Sequence, residues 1–248
     1  MKRLKLLFID TSAKLANVFV IEDGKLLAEG FDSGEKTHAS MLIPVVDKAL
    51  KDAGLGVSDI DVFAVTNGPG SYTGLRIAVA CAKMLAYGAK KPLVPVNSLD
   101  FLAESAVSCA CAAEAGKPLY VLPMMDARNT LCFYALYAAE EGGKLENLTG
   151  VQSDYTADII EKVSGKQPLV ICGDGSVKNR EALLGGLGGI VFTEDKDVTG
   201  NYAGAWQAVI KKIGDEDSDA LSEFSPEKAS ADYFKEVHIT LRSGGNDH

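Results

Sequence analysis

Short apolar runs alternate with helical spacing of apolar positions along the first hundred residues. The apolar runs predict strands at residues 4–9, 17–21, 26–31, 61–66 and 93–96. Asp23-Gly24, between the second and third runs, is a strong signal for a hairpin. Helices are predicted at 41–53 and at 75–87, the first with a kink or a late start at Pro44 and the second ended by Gly88.

The rest of the chain repeats this alternation more loosely. Strands are predicted at 119–125, 131–138, 168–172 and 189–193, and helices at 98–114, 156–164, 177–184 and 202–213. Alternating strands and helices in both halves predict an α/β fold of two lobes, each a mixed sheet flanked by helices. We expect an N-terminal lobe at 1–98, a C-terminal lobe at 99–214, and an acidic linker and tail at 215–248.

The composition indicates a folded, acidic protein. Its 25 Lys and Arg residues against 34 Asp and Glu residues give a formal charge of −9, which opposes broad contact with a nucleic-acid backbone by this chain alone. Only four apolar residues follow the basic start, and Arg76 and Lys83 interrupt the longest apolar stretch. We therefore expect a cytoplasmic protein without membrane contact. The five cysteines favour reduced core thiols over a disulfide framework.

The most informative stretch is the loop before the helix at 75–87. It reads Gly68-Pro69-Gly70-Ser71-Tyr72-Thr73-Gly74, and its three glycines permit close approach by a ligand or by a neighbouring chain. It lacks the Gly-Lys-Ser/Thr ending of a Walker A motif and the spacing of a dinucleotide fingerprint. The residues leave open whether this is a binding loop or a tight strand-to-helix connection.

The helix that follows is unusually apolar, because Arg76 and Lys83 are its only charged residues. Either the helix at 41–53 covers it or another protein chain packs against it, and the two explanations are compatible. Small alanines would let a second helix come close. The candidate partner-facing positions are His38, Met41, Leu42, Val45, Leu75, Arg76, Ala78, Val79, Ala82, Lys83 and Ala86.

Several motifs resemble the bacterial TsaB (YeaZ) family, accessory proteins in making the threonylcarbamoyl modification of the adenosine beside the tRNA anticodon. The resemblance spans most of residues 4–138, and the string Gly68 to Arg76 is its most specific part. The other anchors are Phe8-Ile9-Asp10-Thr11-Ser12, Lys36-Thr37-His38, Leu42-Ile43-Pro44, Ala82-Lys83-Met84-Leu85-Ala86 and Met125-Asp126-Ala127-Arg128. The resemblance implies two actin-like (ASKHA, RNase H-like) lobes.

The same resemblance implies a non-catalytic scaffold. It would bind and activate a TsaD-like catalytic subunit, recruit a TsaE-like ATPase, form a homodimer when alone, and meet tRNA only through the complex. No cofactor is implied, and weak nucleotide binding between the lobes stays open. The candidate ligand-binding positions are Asp10, Thr11, Ser12, Gly68, Pro69, Gly70, Ser71, Asp126 and Arg128.

The chain departs from the family pattern at two places, and two other functions remain open. The TsaD relatives carry a His-x-x-x-His metal motif where this chain has Ser98 and Leu102, so we expect neither a catalytic residue nor a metal site. The family's C-terminal element has only a weak match at Ala231-Asp232-Tyr233-Phe234-Lys235. The alternatives are a small-metabolite kinase, with Asp10 or Asp126 polarising a nucleophile, and a metallopeptidase-like hydrolase.

Overall fold

A computed structural model describes residues 3–32, 38–109, 119–139, 144–193, 199–214, 221 and 223–232, with the backbone alone at 32 and 38–40. Several predictions fall outside these residues. They are the side chain of His38, Lys36, Thr37, Cys111, the acidic linker at 215–219, and the tail element from Tyr233 onward.

The first sheet forms as predicted, with an antiparallel meander followed by two parallel strands. Its strands are β1 (Lys5–Asp10), β2 (Ala16–Glu22), β3 (Lys25–Asp32), β4 (Val62–Gly68) and β5 (Leu93–Asn97), in the order β3-β2-β1-β4-β5. Asp23 and Gly24 both have positive φ, as the two-residue turn between β2 and β3 requires. The hairpin prediction is confirmed.

Among the residues described in the first part of the chain are three α-helices: α1 (His38–Asp52), α2 (Tyr72–Ala89) and α3 (Ser98–Ser108). α1 runs through Pro44, so the predicted late start is wrong. α2 begins earlier than predicted because the Ser71 hydroxyl accepts a hydrogen bond from the Gly74 N–H. It also continues past Gly88, and Lys90 ends it in a left-handed conformation by donating to the Ala86 and Tyr87 carbonyls.

The second sheet repeats the strand order and directions of the first. Its strands are β6 (Leu119–Asp126), β7 (Leu131–Tyr134), β8 (Tyr137–Ala139), β9 (Leu145–Asn147), β10 (Gln152–Tyr155), β11 (Leu169–Cys172) and β12 (Ile190–Phe192). The order β10-β7-β6-β11-β12 matches β3-β2-β1-β4-β5, while β8 and β9 form an extra pair beside β6. The predicted class, two lobes with mixed sheets flanked by helices, is confirmed.

The other α-helices in the described ranges are α4 (Thr156–Val163), α5 (Asp174–Lys178), α6 (Arg180–Gly186) and α7 (Tyr202–Ile213). The predicted single helix at 177–184 is wrong, because two short helices meet at Asn179. The predicted strand at 131–138 is divided, since β7 and β8 pair with different parts of β6. β9 and β10 were not predicted, because their residues are mostly polar.

α3 and α7 join the two sheets. Leu99 and Leu102 of α3 pack into the core of the second sheet, whereas Phe101 stacks against Phe8 of β1 with ring centroids 4.8 Å apart. α7 packs on α3, and its Ala205 and Val209 enter the core beneath the first sheet. Since α3 packs against both sheets, the lobe boundary near residue 98 stays a prediction.

Within the described residues, every helix is too short or too polar to cross a bilayer.

The α3–α7 contact generates a stability prediction. A Cβ at Gly204 would overlap the backbone N and the hydroxyl of Ser105, so we expect Gly204→Ala to lower the free energy of unfolding by about 2–3 kcal/mol. Gly185→Ala in α6 is the matched control, because its Cβ would have nothing within 4 Å. We expect that control to change stability by less than about 1 kcal/mol. Urea denaturation measures both, and equal losses would contradict the contact.

Candidate functional site

The glycine loop packs against this chain's own backbone. The Ser71 N–H donates to the Ser12 carbonyl at 2.7 Å, so the loop that follows β1 lies directly on the start of α2. A Cβ at Gly70 would overlap the Ser12 carbonyl oxygen, and one at Gly74 would overlap the Thr11 carbonyl oxygen. These glycines therefore serve the intramolecular approach of two loops. Pro69 is buried in the same contact region, and its peptide bond with Gly68 is cis.

Asp10 joins the ends of β1 and β4. Its side chain is 1% exposed, and Oδ1 accepts hydrogen bonds from the Ser12 N–H at 2.9 Å and from the Thr66 hydroxyl at 2.6 Å. Burial raises the pKa of Asp10 above its ordinary value, and the hydrogen bonds from Ser12 and Thr66 oppose that rise. The Thr11 hydroxyl is buried and has no hydrogen-bond partner within the described part of the chain.

The second lobe has a corresponding packing of a glycine turn on its central strand. A Cβ at Gly173, directly after β11, would overlap the Met124 carbonyl oxygen of β6, and Gly175 also lies against Met124. Asp174 between them accepts a hydrogen bond from the Asp126 N–H at 3.0 Å. Burial raises the pKa of Asp174, and the charge of Asp10 adds to this rise. The two lobes thus share a structural device as well as a topology.

Asp126 and Arg128 do not pair through their side chains. The ammonium of Lys178 lies 2.8 and 2.9 Å from the two carboxylate oxygens of Asp126, and the backbone N–H of Arg128 donates to the same carboxylate at 3.0 Å. The Arg128 side chain is exposed. Lys178 was missed because it lies 52 residues from Asp126 in sequence, and no local pattern connects them. Ligand binding at Asp126 and Arg128 stays a prediction.

α2 turns one apolar face to solvent. Tyr72, Met84 and Tyr87 are 51%, 60% and 69% exposed, and Arg76 and Ala80 lie exposed between them at helical spacing. The Arg76 guanidinium lies 5.2 Å from the centre of the Tyr72 ring and donates to the Tyr72 hydroxyl at 3.1 Å. We call these five residues the α2 stripe. Exposed apolar side chains grouped on one face mark a surface suited to protein contact.

The structure corrects the predicted partner-facing positions. Seven of them are buried, and all but Leu75 belong to the core that α1 and α2 form with the first sheet: Leu42, Val45, Leu75, Ala78, Val79, Ala82 and Ala86. They cannot meet a partner, because their side chains already contact this chain. Met41 and Lys83 are partly exposed and Arg76 is exposed. An apolar helix does not reveal which face meets its own sheet, but the position of Arg76 marks the outer face, and the other stripe residues follow at helical spacing.

Two sheets of the same strand order, joined by α3 and α7, define the two-lobed actin-like class of protein. The solved structure of YeaZ from Pseudomonas aeruginosa has this fold, with a TM-score of 0.67 and 22% identity over 93% of this chain and 99% of that one.

Residues 28–213 match the family model described as TsaD, tRNA N6-adenosine threonylcarbamoyltransferase, and the chain belongs to that family. Relatives that match along most of its length are named tRNA threonylcarbamoyladenosine biosynthesis protein TsaB. The one from Haemophilus influenzae is 27% identical over 81% of this chain and 80% of its own. The one from Bacillus subtilis is 29% identical over 75% and 77%. The resemblance to the TsaB (YeaZ) family is confirmed.

The packing of the glycine loop generates a second prediction. We expect Gly74→Ala to destabilise the protein by about 2 kcal/mol or more, because the new methyl group would press on the Thr11 carbonyl. Gly88→Ala in the same helix has open space around its Cβ and is expected to be neutral or stabilising by up to about 1 kcal/mol. Chemical denaturation of the two variants makes the comparison, and a neutral Gly74→Ala would refute the close approach.

Asp10 generates a prediction of pH dependence. Because its folded-state pKa is raised, its contribution to stability is present below the ordinary pKa of 3.8 and is lost as pH rises through the raised value. In Asp10→Asn, Oδ1 can still accept from Ser12 and Thr66, but the side chain cannot ionise. The stability of this variant relative to the parent should therefore increase as the pH rises above about 4. Urea unfolding across that range tests this, and parallel stability curves would contradict it.

Proposed function

We propose that this chain is an accessory subunit in tRNA N6-threonylcarbamoyladenosine modification. It binds and activates a TsaD-like catalytic subunit and does not itself transfer the group. The observation that carries the proposal is the α2 stripe, an exposed apolar helix face on a chain whose relatives along most of its length are TsaB biosynthesis proteins. The kinase and hydrolase alternatives have no comparable support.

The close packing of the glycine loop supports a protein-binding role for this chain over a catalytic one. The backbone of Thr11 and Ser12 fills the space against Gly70 and Gly74, where a ligand would need room. Ser98 and Leu102, at the positions of the TsaD metal motif, are both buried in α3. The glycine loop and the loop after β1 therefore hold α2 in place.

The family relationship suggests how the partner docks. Because the TsaD family model covers α1 and α2, a TsaD-type protein has counterparts of these helices. Two related helices can pack face to face about an approximate two-fold axis, and the same geometry lets two copies of this chain pair. We therefore propose that the α2 stripe binds the TsaD-like subunit and supports a homodimer when that subunit is absent.

Arg76 makes this surface favour a partner that carries a carboxylate. The ring and hydroxyl of Tyr72 hold its guanidinium over the apolar face, so less conformational freedom is lost on binding. Tyrosine and arginine are enriched among residues that dominate interface energies. We expect a partner surface of apolar side chains with a carboxylate opposite Arg76.

The net charge of this chain indicates which subunits contact tRNA. With a formal charge of −9, this chain is poorly suited to hold tRNA, so tRNA contact falls to other subunits. We propose that a TsaE-like ATPase joins the complex and that it works in the cytoplasm.

Ala80→Arg tests the docking surface. Ala80 lies in the middle of the stripe and points to solvent, so the folded monomer tolerates arginine, whereas a packed helix contact does not. We expect the dissociation constant for the TsaD-like subunit to rise at least about tenfold, measured by calorimetry. Ala82→Arg would be unsuitable, because Ala82 is fully buried and the change would test folding.

Ala182→Arg in α6 is the matched control, since it places the same side chain on an exposed helix position of the second lobe. We expect parent-like affinity for the control and parent-like thermal unfolding for both variants. Undiminished binding by a folded Ala80→Arg protein would exclude the stripe as the interface.

A further inference from the structure

A C-terminal segment runs beside the α2 stripe. We call residues 223–232 the C-terminal strap. Near its start, the Leu93 N–H of β5 donates to the Phe224 carbonyl at 2.9 Å, and at its end the Asp232 N–H donates to the Asn67 carbonyl at 2.6 Å. Between these points Ala229 is buried in the core that contains the inner face of α2. The strap therefore extends from β5 along α2 to the glycine loop.

Lys83 fastens the strap to α2. Its ammonium group donates to the Ala229 carbonyl at 3.0 Å and to the Glu227 carbonyl at 3.2 Å. An ammonium donor strengthens such bonds relative to neutral donors. Lys83 was predicted to face a partner, but the structure gives it an intramolecular role.

The first glycine of the loop accommodates the same strap. A Cβ at Gly68 would overlap the Asp232 carbonyl oxygen, and Gly68 also has a φ of +133°, which other residues rarely adopt. Two glycines of the loop thus receive the loop after β1, and the third receives the strap. The strap therefore packs on the same glycine loop that positions α2.

The strap also borders the stripe. Lys83 directly precedes Met84 of the stripe in sequence. A cavity of about 560 Å³ lies between the strap and the end of α2, where Tyr87 of the stripe lines it together with Phe224 and Pro226. Lys90, Lys91 and Glu227 also line this cavity. The stripe and the strap are therefore parts of one continuous surface.

We propose that the strap is one wall of the surface on which the TsaD-like subunit docks, and that Lys83 is the positioning residue that holds this wall. The inference rests on the proposed function for the identity of the partner. The continuity through Tyr87 argues for this occupant, because a chain that covers the stripe also reaches the cavity. The cavity takes apolar partner side chains. Lys91 is paired with Asp61 at 3.5 Å, so the acidic partner residue that we expect at the rim would face Lys90.

Lys83→Met tests the inference, because methionine keeps an unbranched apolar stem but cannot donate to the strap carbonyls. We expect exchange of the Asp232 amide hydrogen, followed by NMR, to speed up about tenfold, since the strap loses two charge-assisted hydrogen bonds. We expect the dissociation constant for the TsaD-like subunit to rise about fivefold to tenfold. Lys144→Met, at an exposed position of the second lobe, is the matched control and should change neither quantity.

The outcomes separate this inference from the proposed function. Unchanged exchange at Asp232 in Lys83→Met overturns the role of Lys83. Faster exchange with unchanged affinity overturns the strap as a wall of the docking surface, while the docking role of the stripe stands if Ala80→Arg still weakens binding at least about tenfold. If the parent chain does not bind the TsaD-like subunit at all, the proposed function fails, and the exchange measurement still decides whether Lys83 holds the strap.

Discussion

The backbone contact between the loop after β1 and the start of α2 determines the outer surface of the first lobe. Ser71 donates to the Ser12 carbonyl, and Gly70 and Gly74 leave no room for a side chain in that contact. A helix seated so closely cannot rotate about its axis without breaking the contact. The contact therefore selects which residues of α2 enter the core and which form the stripe, and it connects the glycine motif to the surface that we propose for docking.

The second lobe uses the same constraint with different helices. Gly173 and Gly175 seat the turn after β11 on Met124, much as the glycine loop sits on the loop after β1. The helices that follow, α5 and α6, are short and carry charged residues such as Lys178, which pairs with Asp126. Repetition of the strand order thus preserves this packing of glycine turns, whereas the length and apolar character of α2 distinguish the first lobe, where we propose docking.

Local signals made much of the fold predictable. Asp23-Gly24 specifies its hairpin through two adjacent positive φ angles, and Asn201 specifies the start of α7 by accepting from the Gly204 N–H. The end of α2 was misplaced because Lys90, not Gly88, adopts the left-handed conformation. The outward face of α2 and the Lys178–Asp126 pair depend on residues more than fifty positions apart, and no local pattern encodes such contacts.

The arrangement of stripe and strap favours preorganised binding. Ordering side chains and segments on association costs free energy, so a surface that is already ordered in the free protein binds more tightly for the same contacts. Tyr72 holds Arg76 and Lys83 holds the strap through contacts internal to this chain. On a chain with a charge of −9, a few fixed cations beside an apolar face would also orient the acidic partner surface that we propose. The residues that surround the stripe therefore fix its shape, and in the docking that we propose they would contribute to recognition even where they do not touch the partner.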